Sequence, residues 1–312
     1  MVTRSIDDFG QHIKDIQADL HGRAPKEKID SFVDYYCKLY NKRKKTYLPW
    51  KLCLLLFNRR NWVIKNNQHY WIAFIGRTGG EGKSTLANNC MYFLDDTYTP
   101  DRAALNYEDF IKIVMDSYTV KNNPAITLDE PEDKTHPKSK EGRKLSDILG
   151  KIRQLNFFVA VCANSLTYLP RFIYDRLSAI CYITQNHRFT MWETLSDRPK
   201  FTIIHEIKKE FKTKGHSVFV DKKILKRARF KNQSFSEGMP FSSSQYRKKK
   251  RRDLFKDINS FLRKGDRKTI SLAREIRIQD DFKTDNFTQR ELSKKYGITQ
   301  AWVSRIVNKK IR

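Results

Sequence analysis

Tyr70-Trp71-Ile72-Ala73-Phe74-Ile75-Gly76-Arg77-Thr78-Gly79-Gly80-Glu81-Gly82-Lys83-Ser84-Thr85-Leu86-Ala87 decides how the rest of this chain is read. Six consecutive apolar residues predict a strand. Glycines then crowd the next positions, and Lys83-Ser84-Thr85 opens an apolar run of helical character. Strand, glycine loop and helix in that order is the context a phosphate-binding loop requires. Glycines let the backbone approach a phosphate closely. The N–H groups of Gly79, Gly80, Glu81, Gly82, Lys83, Ser84 and Thr85 are then placed to cradle it at a helix N-terminus. Lys83 is the residue expected to reach the β- and γ-phosphates of ATP, and Ser84 the hydroxyl expected to ligate Mg²⁺. One feature departs from the G-x-x-x-x-G-K-[ST] spacing. Arg77 stands where the outer glycine belongs, and Gly76 lies one place further out.

Working outward, the loop needs a second element to hold Mg²⁺ and activate water. Ala125-Ile126-Thr127-Leu128-Asp129-Glu130 is an apolar strand ending in two carboxylates. Asp129 is expected to hold Mg²⁺, and Glu130 to polarise the attacking water. The plainer alternative is a strand that ends in an acidic turn. Phe157-Phe158-Val159-Ala160-Val161-Cys162-Ala163 is a third strand, and it ends at Asn164. Asn164 is a candidate sensor of the γ-phosphate, or else an ordinary loop residue. Arg153, Arg171 and Arg176 flank this strand, and Arg176 is the favoured candidate for an arginine finger.

Strand-like runs at 69–76, 124–129, 157–162 and 179–184 alternate with helix-like runs at 83–94, 107–116, 144–155 and 168–176. The alternation predicts an α/β fold, a P-loop NTPase core with a mainly parallel sheet. Two more strands are expected at 201–206 and 216–220. The expected organisation is a helical N-terminal region (1–50), the ATPase core (51–230), a basic linker (231–252) and a helical C-terminal domain (253–312).

These elements together resemble the superfamily 3 helicases of viral and plasmid replication proteins. The loop Gly76-Arg77-Thr78-Gly79-Gly80-Glu81-Gly82-Lys83-Ser84 is similar to that of replication proteins from small circular single-stranded DNA viruses. The strand ending at Asn164, followed by Pro170 and Asp175-Arg176-Leu177, is similar to that family's sensor motif and downstream arginine. The resemblance covers about residues 70–185. An FtsK–HerA-type DNA pump is a second branch, although many of those carry Gln at the position of Asn164. Either branch implies a homo-oligomer, a hexameric ring with nucleic acid in its pore. The viral relatives also carry a nicking domain. Tyr35-Tyr36-Cys37-Lys38 echoes its Tyr-x-x-Lys motif, but no His-x-His precedes it, so nicking is not expected.

The charge says what the ATPase acts on. Lys and Arg number 62 against 35 Asp and Glu, a net +27. Such an excess implies a polyanionic partner, nucleic acid or an anionic membrane surface. No apolar run reaches the roughly 18 residues of a membrane span. The acidic start, Asp7-Asp8, has no signal-peptide core. DNA in the cytoplasm, of a host cell if the protein is viral, is therefore the expected setting. The five cysteines are widely spaced and are expected as free thiols. The histidines show no zinc-ligand spacing.

From residue 231 onward, 22 Lys and Arg face 9 Asp and Glu. Within this region the run Arg247-Lys248-Lys249-Lys250-Arg251-Arg252 reads as a phosphate clamp, a localisation patch or a solvated linker. Residues 287–309, FTQRELSKKYGITQAWVSRIVNK, resemble a helix-turn-helix. Thr288 and Glu291 predict a capping box, Gly297 a tight turn, and Val303 and Ile306 the inner face of the second helix. Gln300, Ala301, Ser304 and Arg305 are then placed to meet DNA, with Lys309, Lys310 and Arg312 as phosphate contacts. A structural helical hairpin is the alternative. The expected function is an ATP-hydrolysing motor on DNA. The alternative is an ATP-switched, site-specific DNA-binding initiator or regulator.

Overall fold

The computed structural model describes residues 6–21, 24–42, 48–77, 80–118, 124–129, 156–184, 186–193, 203–252, 275, 277–282 and 287–308. The chain divides into two units, Met1–Tyr246 and Arg247–Arg312.

The first unit is built on a seven-stranded sheet. Its strands are β1 (Tyr70–Ile75), β2 (Ala103–Ala104), β3 (Ala125–Asp129), β4 (Phe158–Ala163), β5 (Ala179–Thr184), β6 (Arg188–Glu193) and β7 (Phe230–Ser234). The order is β2-β3-β4-β1-β5-β6-β7. The first five strands in that row pair in parallel, and β6 pairs antiparallel with both β5 and β7. This mostly parallel α/β sheet is what a P-loop NTPase core requires. β1 sits in the middle because every one of its residues is buried. Alternate side chains enter opposite cores, as strand geometry dictates. Tyr70, Ile72 and Phe74 join one core, and Trp71, Ala73 and Ile75 the other.

The first core is covered by α1 (Ile6–Leu20), α2 (Lys26–Lys42), α3 (Trp50–Asn66) and α4 (Lys83–Leu94). The second is covered by α5 (Tyr107–Tyr118), α6 (Arg171–Tyr174), α7 (Ile203–Lys214) and α8 (Lys222–Lys226). A buried ion pair ties α3 to the sheet. Arg59 donates to both oxygens of Glu193 on β6, at 2.5 and 2.9 Å, and the Tyr70 hydroxyl adds a 2.6 Å bond. Among the described residues, no helix is long and apolar enough to cross a membrane. All five cysteines are free thiols.

Three segments depart from the structure their sequence suggests. Of the two strands expected at 201–206 and 216–220, the described residues 203–206 and 216–220 are not strands. α7 buries Ile203, Ile204, Ile207 and Phe211, a spacing of three and four that only a helix puts on one face. A six-residue window hid that period. Residues Gly215–Val220 form a 3₁₀ helix with Val218 and Phe219 buried side by side, which a strand would point to opposite faces. The helix expected over 168–176 shrinks to Arg171–Tyr174 behind Pro170, whose ring cannot sit inside a helix. β2, β6, β7 and the core helix α3 were not anticipated. β2 has two residues, and the sequence of β7, FKNQS, is polar and exposed in the way edge strands often are. The helix expected at 144–155 lies outside the described residues.

In the second unit, α9 (Gln289–Tyr296) and α10 (Gln300–Asn308) pack around Leu292, Val303, Ile306 and Ile278. The capping box is present. Thr288 accepts from the Glu291 amide at 3.3 Å, and Glu291 accepts from the Thr288 amide at 2.7 Å. Gly297 ends α9 in the left-handed region at φ +59°, where glycine carries no Cβ penalty. The small Ser293 donates to the Ile298 carbonyl at 2.6 Å and closes the turn.

Candidate functional site

β4 and β5 lie on opposite sides of β1, which puts a topological switch point at the carboxyl ends of β1 and β4, the place where α/β sheets bind ligands. The glycine loop lies at the carboxyl end of β1. Gly80 and Gly82 have φ of +83° and +90°, and Gly82 caps the N-terminus of α4. A Cβ on Gly82 would lie 2.8 Å from His187 Cδ2 and 2.9 Å from Phe235 Cζ, so only glycine fits beneath this aromatic wall. Gly76 carries the carboxylate of Glu81, which occupies the space a Cβ would need. That gives the displaced outer glycine a local reason.

Lys83 is the first residue of α4 and is only 5% exposed. The positive end of a helix dipole is an unfavourable place for an ammonium, and burial adds to the cost. A bound anion is one kind of partner that would offset both costs. Ser84 follows, and its hydroxyl donates to Asp129 Oδ1 at 2.8 Å. Asp129 is fully buried, and its second oxygen accepts from the Tyr246 hydroxyl at 2.6 Å. Behind this pair, the Tyr98 hydroxyl hydrogen-bonds Asn88 Oδ1 at 2.6 Å and Thr127 Oγ1 at 2.7 Å. These bonds hold α4 against β3.

A buried carboxylate beside a hydroxyl is a hard-oxygen donor set suited to Mg²⁺, which takes few protein ligands and completes its shell with phosphate and water. Among the described residues no cluster of three or more His, Cys, Asp or Glu could hold a metal. An all-protein metal cage is therefore not formed by them, and a nucleotide-dependent site does not need one.

Asn164 stands just beyond β4, half-buried, and its Oδ1 is buried without a hydrogen-bond partner. An unpartnered buried acceptor is costly, and a site that brings a donor such as water removes that cost. His216 and Arg77 lie in the same neighbourhood. Burial pushes the His216 imidazole below its usual pKa, the Arg77 guanidinium adds to the effect, and the Asn164 backbone opposes it. Burial raises the Tyr182 phenol on β5, and Arg77 opposes that rise through its charge and a hydrogen bond.

Four contributors escaped the sequence reading: Tyr246, Phe235, His187 and His216. None belongs to a motif, and each lies over 100 residues beyond the loop. Arg176 sits in the turn after α6, its amide bonded to the Ile173 carbonyl at 2.9 Å, and burial lowers its pKa while Asp175 opposes the shift. Gly79, Glu130, Arg153, Lys309, Lys310 and Arg312 lie outside the described residues, as does the side chain of Arg171. In α10, Gln300, Ala301 and Arg305 are exposed and Ser304 is half-buried, while Val303 and Ile306 face inward. Tyr35 of the Tyr-x-x-Lys echo donates its hydroxyl to the Phe93 carbonyl at 2.5 Å, and burial raises its pKa, which suits packing and not nucleophilic attack.

Neither a protein family nor a curated protein matches this chain. Three solved structures show a distant likeness. The N-terminal domain of zonular occludens toxin from Neisseria meningitidis is 15% identical over 42% of this chain and 87% of that one, with a TM-score of 0.29. The cytoplasmic domain of the Thermomonospora curvata Type VII secretion ATPase EccC is 14% identical over 41% of this chain and 22% of that one, with a TM-score of 0.29. The replication initiator DnaA, bound to AMPPCP and single-stranded DNA, is 15% identical over 81% of this chain and 86% of that one, with a TM-score of 0.25. Values this low carry no functional argument. The fold assignment rests on the strand order and the loop.

Proposed function

We propose that this chain is an ATP-hydrolysing motor acting on DNA, a replicative helicase or translocase in the manner of superfamily 3 proteins. The observation that carries the ATPase reading is the meeting of two separate motifs: Ser84, next to buried Lys83, bonds Asp129 at 2.8 Å. The loop amides and Lys83 bind the phosphates, and Ser84 and Asp129 hold Mg²⁺. When bound, Mg²⁺ neutralises charge on the phosphate oxygens. Glu130, next to Asp129 in sequence, takes the role of polarising the attacking water. Asn164 offers its free Oδ1 as an acceptor to that water or its neighbours. Arg176 is the candidate finger for a neighbouring subunit in a ring.

DNA as the substrate is supported by the net charge of +27 and by the second unit. There α10 presents Gln300, Ala301 and Arg305 outward from a capped and glycine-turned helix pair. That is how a helix-turn-helix offers its second helix to a major groove.

The test is hydrolysis with and without DNA, combined with displacement of a labelled strand or of a protein roadblock. A motor shows DNA-stimulated turnover and ATP-dependent displacement. Stimulated binding without displacement would instead identify an ATP-switched, site-specific initiator or regulator.

A further inference from the structure

Residues 235–246 form a strap that runs from the glycine turn to the buried carboxylate. Phe235, just beyond β7 and 1% exposed, closes over Gly82 and donates its amide to the His187 carbonyl at 3.0 Å. The Gly238 carbonyl accepts from Asn89 Nδ2 of α4 at 2.8 Å. The Phe241 ring lies 6.1 Å from Tyr98 and 5.6 Å from Tyr246. The strap ends on the 2.6 Å bond from the Tyr246 hydroxyl to Asp129 Oδ2, with Tyr246 only 4% exposed.

A carboxylate held through one oxygen can still turn about its Cβ–Cγ bond. Asp129 is held through both, by Ser84 on Oδ1 and by Tyr246 on Oδ2. We propose that Tyr246 is a positioning residue that fixes the plane of the Asp129 carboxylate for Mg²⁺. The inference rests on the nucleotide-site reading above. Partners that orient a metal's ligands change metal affinity by about 10- to 100-fold when removed. Tyr246 does this from a segment outside the loop and the acidic strand, and the basic run 247–252 follows it directly in the chain.

The test uses the full chain, a fluorescent ATP analogue and a Mg²⁺ titration, with binding also measured in EDTA. Tyr246→Phe keeps the ring against Phe241 and removes one oxygen. It is expected to raise the Mg²⁺ concentration needed for half-maximal tightening by about tenfold or more. Affinity in EDTA should stay within about twofold, which also reports that the variant is folded. An unchanged Mg²⁺ dependence overturns the inference. A lower Mg²⁺ requirement overturns it too, because the hydroxyl would then obstruct the metal and not position its ligand. An equal loss with and without Mg²⁺ reduces Tyr246 to a packing residue. If the unaltered protein binds the analogue but not in a Mg²⁺-dependent way, the metal assignment falls and this inference with it. If the protein does not bind the analogue at all, the nucleotide reading itself has failed.

Discussion

Gly82→Ala isolates the part of the glycine loop that tertiary packing makes obligatory. Gly82 sits at φ +90°, and an L-residue there carries a strain of about 1–3 kcal/mol. The new methyl would also lie 2.8 Å from His187 and 2.9 Å from the buried Phe235 ring, well inside van der Waals contact. Forcing an extra carbon into a packed site costs about 1–3 kcal/mol more. The sum is about 2–6 kcal/mol, a large share of the roughly 5–15 kcal/mol that holds a typical domain. Gly80→Ala is the internal reference. Its φ of +83° imposes similar strain, but no atom lies within 4 Å of the added carbon. The difference between the two variants reports the aromatic wall alone. Urea unfolding followed by tryptophan fluorescence measures it, and a gap of about 1–3 kcal/mol is expected. Phe235→Leu should cost less in the Gly82→Ala background than in the unaltered chain, by about 0.5 kcal/mol or more. Equal destabilisation by Gly82→Ala and Gly80→Ala, with no coupling to Phe235, would refute the claim that the strap closes on this turn.

Lys83→Ala is expected to abolish ATP binding by calorimetry, and binding at the original affinity would remove Lys83 from the phosphate site. Glu130→Gln is expected to bind ATP normally and stop turnover; full hydrolysis would take the base assignment away from Glu130. Deleting 284–312 should lower site-specific DNA binding in a competition assay while sparing basal ATPase, and an unchanged site preference would remove α9 and α10 from DNA recognition. Burial holds the Lys208 ammonium down at about 8 from 10.5, with Asp175 opposing the shift. The unfolded chain therefore binds the extra proton between those values, and this group's contribution to stability rises as pH climbs from about 8 to 10.5. The rise is bounded by about 3 kcal/mol. Lys208→Met should abolish it in denaturation curves taken from pH 7 to 10, and an unaltered slope would show that Lys208 stays hydrated.

Much of the candidate nucleotide site was legible because its parts are contiguous. Six apolar residues, a cluster of glycines and Lys83-Ser84-Thr85 specify strand, turn and helix by local rules alone. The capping box at Thr288 and Glu291 was legible for the same reason, since its partners lie three residues apart. The misread segments show the opposite case. FTIIHE at 201–206 satisfies a strand pattern over six residues, and only the further positions Ile207 and Phe211 show that the burial period is helical.

The sequence by itself determined that β1 runs into a glycine loop and then into α4, that an acidic strand follows, and that the chain is strongly basic. Those features depend on neighbours along the chain and on composition. Only the tertiary structure decided that Ser84 meets Asp129, that Gly82 lies under Phe235, and that Tyr246 takes the second oxygen of Asp129. Tyr246 and Asp129 stand 117 positions apart, and no periodicity or spacing links a tyrosine before a basic run to a distant carboxylate. What joins them is the burial of both groups. A carboxylate with no access to water must find its donors wherever the fold delivers them, and here the strap behind β7 delivers one.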